Sequence, residues 1–344
     1  MIHKHHVKFC KMIKNSMHGY PLNRMRRNRQ SDWSRRLVCE NNVLTSDLIL
    51  PVFVMEGNNK IEPINSLPGV NRYTIDGVIE VAKECEDNGL PLIAIFPVID
   101  SNLKTDHAEE SYRADNLICR TVSEIKNKVS NIGVMTDVAL DPYTSHGHDG
   151  ILKNNVIAND ETIEILIKQA INQCESGADI IAPSDMMDGR VLKIRESLES
   201  HNFQDKIIMS YAAKYASNYY GPFRDAIKSN KNLTGDKKTY QMDVANSNEA
   251  LREAELDISE GADMVMVKPG LPYLDIIHKV KTYLKVPTFA YQVSGEYASL
   301  MAASMNGWIE YDDIIMETLL CFKRAGADGI LTYAALDVAK KVSG

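Results

Sequence analysis

Two apolar runs of the chain each end in a lysine: Ile207-Ile208-Met209-Ser210-Tyr211-Ala212-Ala213-Lys214 and Met264-Val265-Met266-Val267-Lys268, the second followed by Pro269-Gly270. Lysine is among the residues that are least often fully buried, so an amine at the end of a core strand needs a chemical reason. An amine that is desolvated, or that lies beside a second cation, loses proton affinity and can form a Schiff base with a carbonyl compound. Either lysine could instead extend to solvent or pair with an aspartate. The recurrence of a lysine at the ends of two predicted strands favours the Schiff-base interpretation.

Six further apolar runs bring the number of predicted strands to eight. Each run is continuously apolar, which is typical of parallel strands that are covered on both faces. Helical spacing separates them, and Gly-Ala-Asp recurs at 177–179, 261–263 and 326–328, where a helix gives way to a strand. The glycine supplies the left-handed conformation that ends a helix. This pattern predicts an α/β protein with a (β/α)8 TIM barrel. The six runs are 48–54, 93–98, 133–140, 180–184, 288–294 and 329–333.

The charge of the chain is unevenly distributed. Its net charge is −7, yet residues 1–47 hold ten Lys and Arg against three acids, a local charge of +7 that leaves −14 for residues 48–344. We therefore predict a basic N-terminal arm that docks on an acidic surface, such as a second copy of the barrel domain 48–344. A nucleic-acid partner is not expected, because the short Arg24 to Arg29 cluster lacks interleaved aromatic residues. Residues 1–16 fit a disordered extension, a transit segment, or a stretch that precedes a start at Met17.

Composition limits the environment of the protein. The hydrophobic fraction of 44% and the charged fraction of 25% are those of a soluble protein. No apolar run approaches the roughly 20 residues that span a bilayer, so no membrane role is expected. The six cysteines are dispersed without a Cys-x-x-Cys pair. This usage predicts a reducing compartment, the cytoplasm, with neither disulfides nor a cysteine-rich zinc site.

In a (β/α)8 barrel the active site lies at the carboxyl ends of the strands. Polar residues predicted at those ends are Asp137, Ser184, Asp185, Lys214, Lys268, Ser294 and Tyr333. A long polar segment with aromatic residues, about 215–241, predicts a lid that closes over substrate. Its cations, Arg224, Lys237 and Lys238, suit a substrate that bears a carboxylate. Phosphate is less expected, because the glycine-rich loops that usually bind it after strands 7 and 8 are missing.

The segment 137–150 has the composition of a metal-binding loop. Asp141 and Asp149 would favour Mg²⁺ or another hard cation, whereas His146 and His148 could recruit zinc. A polar loop whose aspartates only accept backbone hydrogen bonds fits the spacing equally well. The residues alone leave these alternatives open.

Four motifs occur in order: Ala182-Pro-Ser-Asp-Met-Met-Asp-Gly-Arg-Val191, Tyr219-Tyr-Gly-Pro-Phe-Arg-Asp225, Met266-Val-Lys-Pro-Gly270 and Val293-Ser-Gly-Glu296. From about Tyr20 to its end the chain resembles the porphobilinogen synthase family, also called 5-aminolevulinate dehydratases. The resemblance implies a hydro-lyase that condenses two molecules of 5-aminolevulinate to porphobilinogen with loss of two waters, an early step toward haem and other tetrapyrroles. The residue-based alternatives are a single-lysine class I aldolase, with Lys214 structural, and a non-catalytic tetrapyrrole-binding barrel.

The resemblance also implies roles for single residues. Lys268 matches the Schiff-base lysine of the propionate-side substrate (P site), and Lys214 matches that of the acetate-side substrate (A site). General acid and base catalysis would be carried out by neighbouring amines, Asp137, Asp141 and water. Lys237 stands where many relatives have arginine. The lysine keeps the positive charge but cannot bind a carboxylate through two parallel hydrogen bonds as arginine does. The implied substrate-binding residues are Ser294 and Tyr333 for the P-site carboxylate, Arg224, Lys237 and Gln241 for the A-site carboxylate, and Ser184 and Tyr220 beside them.

The metal loop departs from the zinc-dependent relatives, which have cysteines at the positions of Ala139, Asp141 and Asp149. Without thiolates, zinc is not expected. The chain is similar instead to the magnesium-responsive branch, which implies a regulatory Mg²⁺ beside Glu253, with Asp149 as a further candidate ligand and no organic cofactor. The resemblance also implies a homo-octamer in which the N-terminal arm embraces a neighbouring barrel.

Overall fold

The computed structural model describes residues 21–228, 233 and 235–342. The expectation for residues 1–16 therefore lies outside the described residues, as do positions 229–232 and 234 of the predicted lid. By its contacts the chain divides into two compact units, residues 1–42 and 43–344.

The described part of the first unit contains a 3-10 helix, Met25–Arg29, and a short helix, α1 (Asp32–Leu37). An ion pair of 2.8 Å joins Arg36 Nε to Asp32 Oδ2 within α1. Several large apolar side chains of this unit are exposed, among them Trp33 at 65% and Leu37 at 76%. The first unit therefore presents both cationic and apolar groups on its surface.

Eight parallel strands of the second unit form a closed barrel. The last strand pairs with the first, with Ile330 opposite Leu48 and Leu331 opposite Ile49. This closure confirms the predicted (β/α)8 barrel. The barrel strands are β1 (Leu48–Met55), β4 (Leu92–Val98), β5 (Gly133–Val138), β8 (Ile180–Pro183), β9 (Ile207–Lys214), β10 (Met264–Lys268), β11 (Thr288–Tyr291) and β12 (Gly329–Leu331).

Helices follow the strands and bury their apolar faces against the barrel. They are α2 (Ile75–Asp87), α3 (Leu117–Lys128), α4 (Asn159–Glu175), α5 (Arg190–Ser200), α6 (Gly221–Ala226), α7 (Asn248–Ser259), α8 (Leu274–Leu284), α9 (Ser294–Met305), α10 (Tyr311–Ala325) and α11 (Ala335–Val342). Among the described residues, no helix is both long enough and apolar enough to cross a membrane.

The Gly-Ala-Asp repeat forms the same structure at each of its three occurrences. Gly177, Gly261 and Gly326 have φ values of +106°, +107° and +108°, so each ends its helix in the left-handed region. The aspartate then accepts a hydrogen bond from a backbone N–H of the preceding barrel strand. The aspartate role was not predicted: Asp179 accepts from Val134 at 2.8 Å, Asp263 from Ile208 at 2.7 Å and Asp328 from Thr288 at 2.7 Å.

Three predicted strands are too long by two or three residues at their carboxyl ends, and a fourth, β8, by one residue. β5 ends at Val138, β11 at Tyr291 and β12 at Leu331. Ser294 consequently opens helix α9, and Tyr333 lies in the loop after β12. The last residues of these predicted strands leave the hydrogen-bonded sheet and form part of the loops at the mouth of the barrel.

Two small hairpins were not predicted. One consists of β2 (Ile61–Pro63) and β3 (Asn71–Tyr73), and the other of β6 (Leu152–Lys153) and β7 (Val156–Ile157). β3 also pairs in parallel with the end of β1, with Arg72 opposite Phe53 and Tyr73 opposite Val54. The first hairpin is therefore fixed to the barrel at its carboxyl-end face.

Candidate active site

The two lysines of the opening motifs lie side by side at the mouth of the barrel. Each is the last residue of its strand, and Lys268 of β10 is directly opposite Lys214 of β9. Both are buried, at 6% and 5% exposure. The register of two parallel strands thus brings both amines to one narrow cavity.

Aromatic rings surround the amine of Lys268. Its Nζ lies 4.7 Å from the ring centre of Tyr291, 4.9 Å from Tyr211, 5.2 Å from Phe223 and 5.5 Å from Tyr220. Desolvation by these apolar walls and, to a smaller extent, the positive charge of Lys214 lower the pKa of Lys268 to about 7, against the opposing effect of the nearby aspartates. A substantial fraction of this amine is therefore unprotonated, and nucleophilic, at neutral pH.

Lys214 is held by polar groups. Its Nζ donates to Oδ1 of Asp149 at 2.9 Å and to the backbone carbonyl of Ser184. Two lysines that are adjacent in the barrel therefore have different surroundings, aromatic for Lys268 and anionic for Lys214. Because the surroundings of an amine set its proton affinity, the two lysines can differ in reactivity.

Asp149 lies at the centre of a network of buried charges. It is fully buried, and its Oδ2 accepts from Lys237 Nζ at 2.6 Å and from the Tyr240 hydroxyl at 2.9 Å. Burial acts to raise the pKa of Asp149, but Lys214 and Lys237 outweigh burial and lower it. Lys237 also lies 3.2 Å from Oδ2 of Asp141. The predicted metal loop is thus folded into contact with the lysines.

Asp137, on β5, is a buried carboxyl group whose pKa is raised, in contrast to that of Asp149. Its Oδ1 is buried without a hydrogen-bond partner. Burial raises the pKa of Asp137 to about 6, against the opposing effect of Lys268 and Lys214. A carboxyl group that titrates near neutral pH can both accept and donate a proton, which is the requirement for general acid and base work.

The described part of segment 215–241, the predicted lid, contributes to the lining of the cavity. Tyr220, at the end of a 3-10 helix, donates its hydroxyl to the Lys268 carbonyl at 3.1 Å. Phe223 of α6 donates its backbone N–H to Ser294 Oγ at 2.9 Å. The cavity between lid and barrel measures about 30 Å³, whereas ligand pockets usually measure roughly 300–1,000 Å³. In this conformation the cavity is therefore too small to hold a typical small-molecule ligand.

The structure brings seven of the predicted site residues to this cavity: Asp141, Lys214, Tyr220, Arg224, Lys237, Gln241 and Lys268. Tyr333 lies just behind it, with its hydroxyl 3.1 Å from that of Tyr291. Asp185 faces elsewhere, with Oδ2 at 3.4 Å from Arg190 Nε, and burial raises its pKa to about 7. Glu253 lies on α7 and lines a second, larger cavity of about 850 Å³.

Sequence reasoning missed the aromatic surroundings of Lys268 and the hydrogen bond from Tyr240. Tyr211 is three residues before Lys214 on the same strand, which is a weak signal. Tyr291 and Phe223 belong to other elements, so no local pattern connects them with Lys268. As for metals, no group of three or more His, Cys, Asp or Glu within the described ranges is arranged to hold an ion.

Comparison with known proteins agrees with this geometry. The family model described as delta-aminolevulinic acid dehydratase matches residues 22–341. The delta-aminolevulinic acid dehydratase of Bradyrhizobium diazoefficiens is 57% identical, over 93% of this chain and 90% of its own length. That of Rhodobacter capsulatus is 50% identical, over 94% and 97%.

A solved structure is also similar. It is the delta-aminolevulinic acid dehydratase (porphobilinogen synthase) of Toxoplasma gondii in complex with the reaction product porphobilinogen. Its TM-score is 0.91 at 48% identity, covering 93% of this chain and 91% of that one.

The barrel, with charged side chains gathered at the carboxyl ends of its strands, defines a class, the (β/α)8 enzymes. Within that class the four motifs and the matched length narrow the choice to one family. The chain belongs to the delta-aminolevulinic acid dehydratase family.

Proposed function

We propose that this protein condenses two molecules of 5-aminolevulinate to porphobilinogen, with loss of two waters, through Schiff bases at Lys268 and Lys214. The observation that carries the proposal is the register of β9 and β10, which places two buried amines opposite each other at one cavity. The product complex of the similar Toxoplasma gondii protein supports the choice of substrate.

The surroundings of the amines suggest how the steps are divided. The unprotonated Lys268 attacks the ketone of the first substrate, and the carbinolamine then loses one water to give the imine. Asp137 is placed to take up and return the protons of these steps. Lys214 forms an imine with the second substrate, with loss of the second water. One carbon-carbon bond and one carbon-nitrogen bond then form at the two imine carbons, each lysine leaves its carbon as a free amine, and loss of a ring proton gives the pyrrole; the two waters are those lost on imine formation.

The carboxylates of the two substrates have separate candidate partners. The lid groups Arg224, Lys237 and Gln241 line the cavity on the Lys214 side and would hold the A-site carboxylate. Ser294 and Tyr333 offer neutral hydroxyl groups to the P-site carboxylate. Lys237 pairs with both Asp141 and Asp149, so it must share its charge with the arriving substrate.

The direct test is to incubate the purified protein with 5-aminolevulinate and to follow pyrrole formation by a colour reaction. Pyrrole formation supports the proposal. Imine trapping without a pyrrole would favour a class I aldolase. Tetrapyrrole binding without turnover would favour a non-catalytic barrel.

The pH dependence of the rate should reflect the pKa of Lys268. Only the neutral amine attacks a ketone, so kcat/KM is expected to fall about tenfold per pH unit below pH 7. The Lys214→Met substitution removes the neighbouring positive charge and should raise the pKa of Lys268. Borohydride trapping of substrate on Lys268, measured against pH, should then show a midpoint at higher pH in that variant. A trapping midpoint that stays near pH 10 in both proteins would contradict this account.

Delta-aminolevulinic acid dehydratases depend in general on metal ions, and we infer that here the ion is a regulatory Mg²⁺ beside Glu253. Burial and the negative charge of Asp257 raise the pKa of Glu253, and a cation would relieve that repulsion. The same cavity carries Asp188, Asp243 and Glu249, and carboxylate oxygens suit Mg²⁺. Bound there, Mg²⁺ would neutralise the carboxylates. We assign Asp149 to pairing with the lysines, because both of its oxygens already accept from cations.

Substitution of Glu253 by glutamine is expected to abolish the response to added Mg²⁺ and to leave the activity without Mg²⁺ within about twofold of the parent. The variant loses the charge that attracts the ion but touches neither lysine. The measurement is the rate, and the melting temperature, over a Mg²⁺ titration, with Glu196→Gln as a surface control. A Glu253→Gln protein that still responds like the parent would exclude Glu253 as the site.

We propose further that the protein is a homo-octamer assembled through the basic arm, and that it is cytoplasmic. The excess positive charge of residues 1–47 and the exposed Trp33 and Leu37 support an assembly role. The unpaired thiols of Cys39, Cys85 and Cys119 are compatible with a reducing compartment. Light scattering of the full-length chain, compared with a chain that starts at residue 43, tests the assembly.

A further inference from the structure

The side chain of Arg72 connects the β2–β3 hairpin with the lid. It is buried, at 5% exposure. Its Nε donates to the carbonyl of Ala226 at 2.6 Å, and its Nη2 to the carbonyl of Asp225 at 2.7 Å. These carbonyls belong to the last two residues of α6, and that of Asp225 also accepts the backbone N–H of Lys228 at 3.0 Å. One guanidinium thus binds two carbonyls at the end of the helix at once.

Arg72 is itself held rigidly. Its backbone pairs with Phe53 of β1, so it is attached to the barrel wall. Its Nη1 also donates to Glu62 Oε1 at 2.6 Å, on the other strand of the hairpin. A second contact, from Ser66 Oγ to Asp225 Oδ2 at 2.5 Å, joins the same hairpin to the same helix.

Helix α6 carries the part of the lid that faces the nucleophile. Phe223 places its ring 5.2 Å from Lys268 Nζ, and its backbone N–H is bonded to Ser294. The helix has six residues, far fewer than the roughly 12–15 that an isolated helix needs to be even marginally stable in water. Its position therefore depends on tertiary contacts: Phe223 packs against Phe53 and Phe96, while Ser294 binds near its start and Arg72 at its end.

We propose that Arg72 is a positioning residue that holds lid helix α6 over Lys268. The inference rests on the function proposed above. Arg72 does not touch the reacting atoms; it acts through α6 and Phe223. Without it the helix loosens, water reaches Lys268, and the lid closes less often over bound substrate.

Two consequences can be measured in Arg72→Met and Arg72→Lys. The KM for 5-aminolevulinate should rise about tenfold while kcat changes less than about threefold, because a closed lid mainly contributes binding. Hydration of Lys268 should also move the acid limb of the kcat/KM profile to higher pH. The charged groups that face Lys268 are Lys214, Asp137, Asp141 and Asp149, and neither substitution alters them. Arg72→Lys should restore little of the parent's KM, since an ammonium group cannot reproduce the planar set of donors by which a guanidinium binds two carbonyls.

The control is Arg120→Met, which removes an arginine that is bonded to Glu56 and to the carbonyl of Asp115. It should leave KM and the pH profile unchanged. A folded Arg72→Met protein with the parent's KM and acid limb would overturn the proposal. If that variant does not fold, Ser66→Ala decides: a KM raised about twofold or more supports the proposal, and an unchanged KM overturns it. An inactive parent protein would instead overturn the proposed function, so the two failures are distinguishable.

Discussion

Replacement of Lys268 by methionine is expected to lower kcat by at least about 10⁴-fold, the scale on which loss of a covalent nucleophile acts. Lys268 is the amine whose pKa burial lowers to about 7. Lys214 does not replace it, because in the proposed mechanism Lys214 forms the imine of the other substrate, from a position held by Asp149 and the carbonyl of Ser184. Methionine has a similar length and packs well against aromatic rings, so the fold should persist.

Turnover and borohydride labelling together check this result. In the parent protein, reduction in the presence of 5-aminolevulinate should attach substrate to the peptide that contains Lys268. In the variant that peptide should stay unlabelled. The control is Lys193→Met, whose lysine is 53% exposed and pairs only with Glu196 among the recorded ion pairs; it should react like the parent. A Lys268→Met protein of near-native rate would remove Lys268 from the mechanism.

Replacement of Asp149 by asparagine is expected to lower the free energy of unfolding by about 3–5 kcal/mol, since it leaves the buried ammonium of Lys214 without its anion and leaves Lys237 with Asp141 alone. Lys214 and Lys237 lie 2.9 and 2.6 Å from the two Asp149 oxygens. Because these lysines lower the pKa of Asp149, its stabilisation is complete above the pKa of the unfolded chain and is lost only as the pH falls through the folded value. The full loss should therefore appear at pH 7.

Urea unfolding at pH 7 measures this loss. A second substitution, Lys214→Met in the Asp149→Asn background, removes the cation that has lost its anion and should restore part of the stability, so the two effects are not additive. The control is Glu196→Gln, which breaks an exposed pair and should cost less than about 1 kcal/mol. Equal losses in Asp149→Asn and Glu196→Gln would show that the network contributes nothing to stability.

The barrel could be predicted because its signals are local. A continuous apolar run specifies a parallel strand, and Gly177, Gly261 and Gly326 mark where helices end. The strand-end lysines were found for the same reason, since each belongs to its own run. The errors lie at strand ends such as Ser294, where the loop geometry and not the residue type decides whether the ladder continues.

The sequence by itself therefore determined the barrel, its family, and the presence of two amines at its mouth. Only the tertiary structure decided what each amine contacts. Asp149 is 65 positions from Lys214 and Tyr211 is 57 from Lys268 along the chain, and Arg72 reaches helix α6 across about 150. Such pairs meet because barrel closure brings loops from different strands together. The contrast between an aromatic and an anionic site arises from that closure, because the pKa of a buried amine depends on what surrounds it in space.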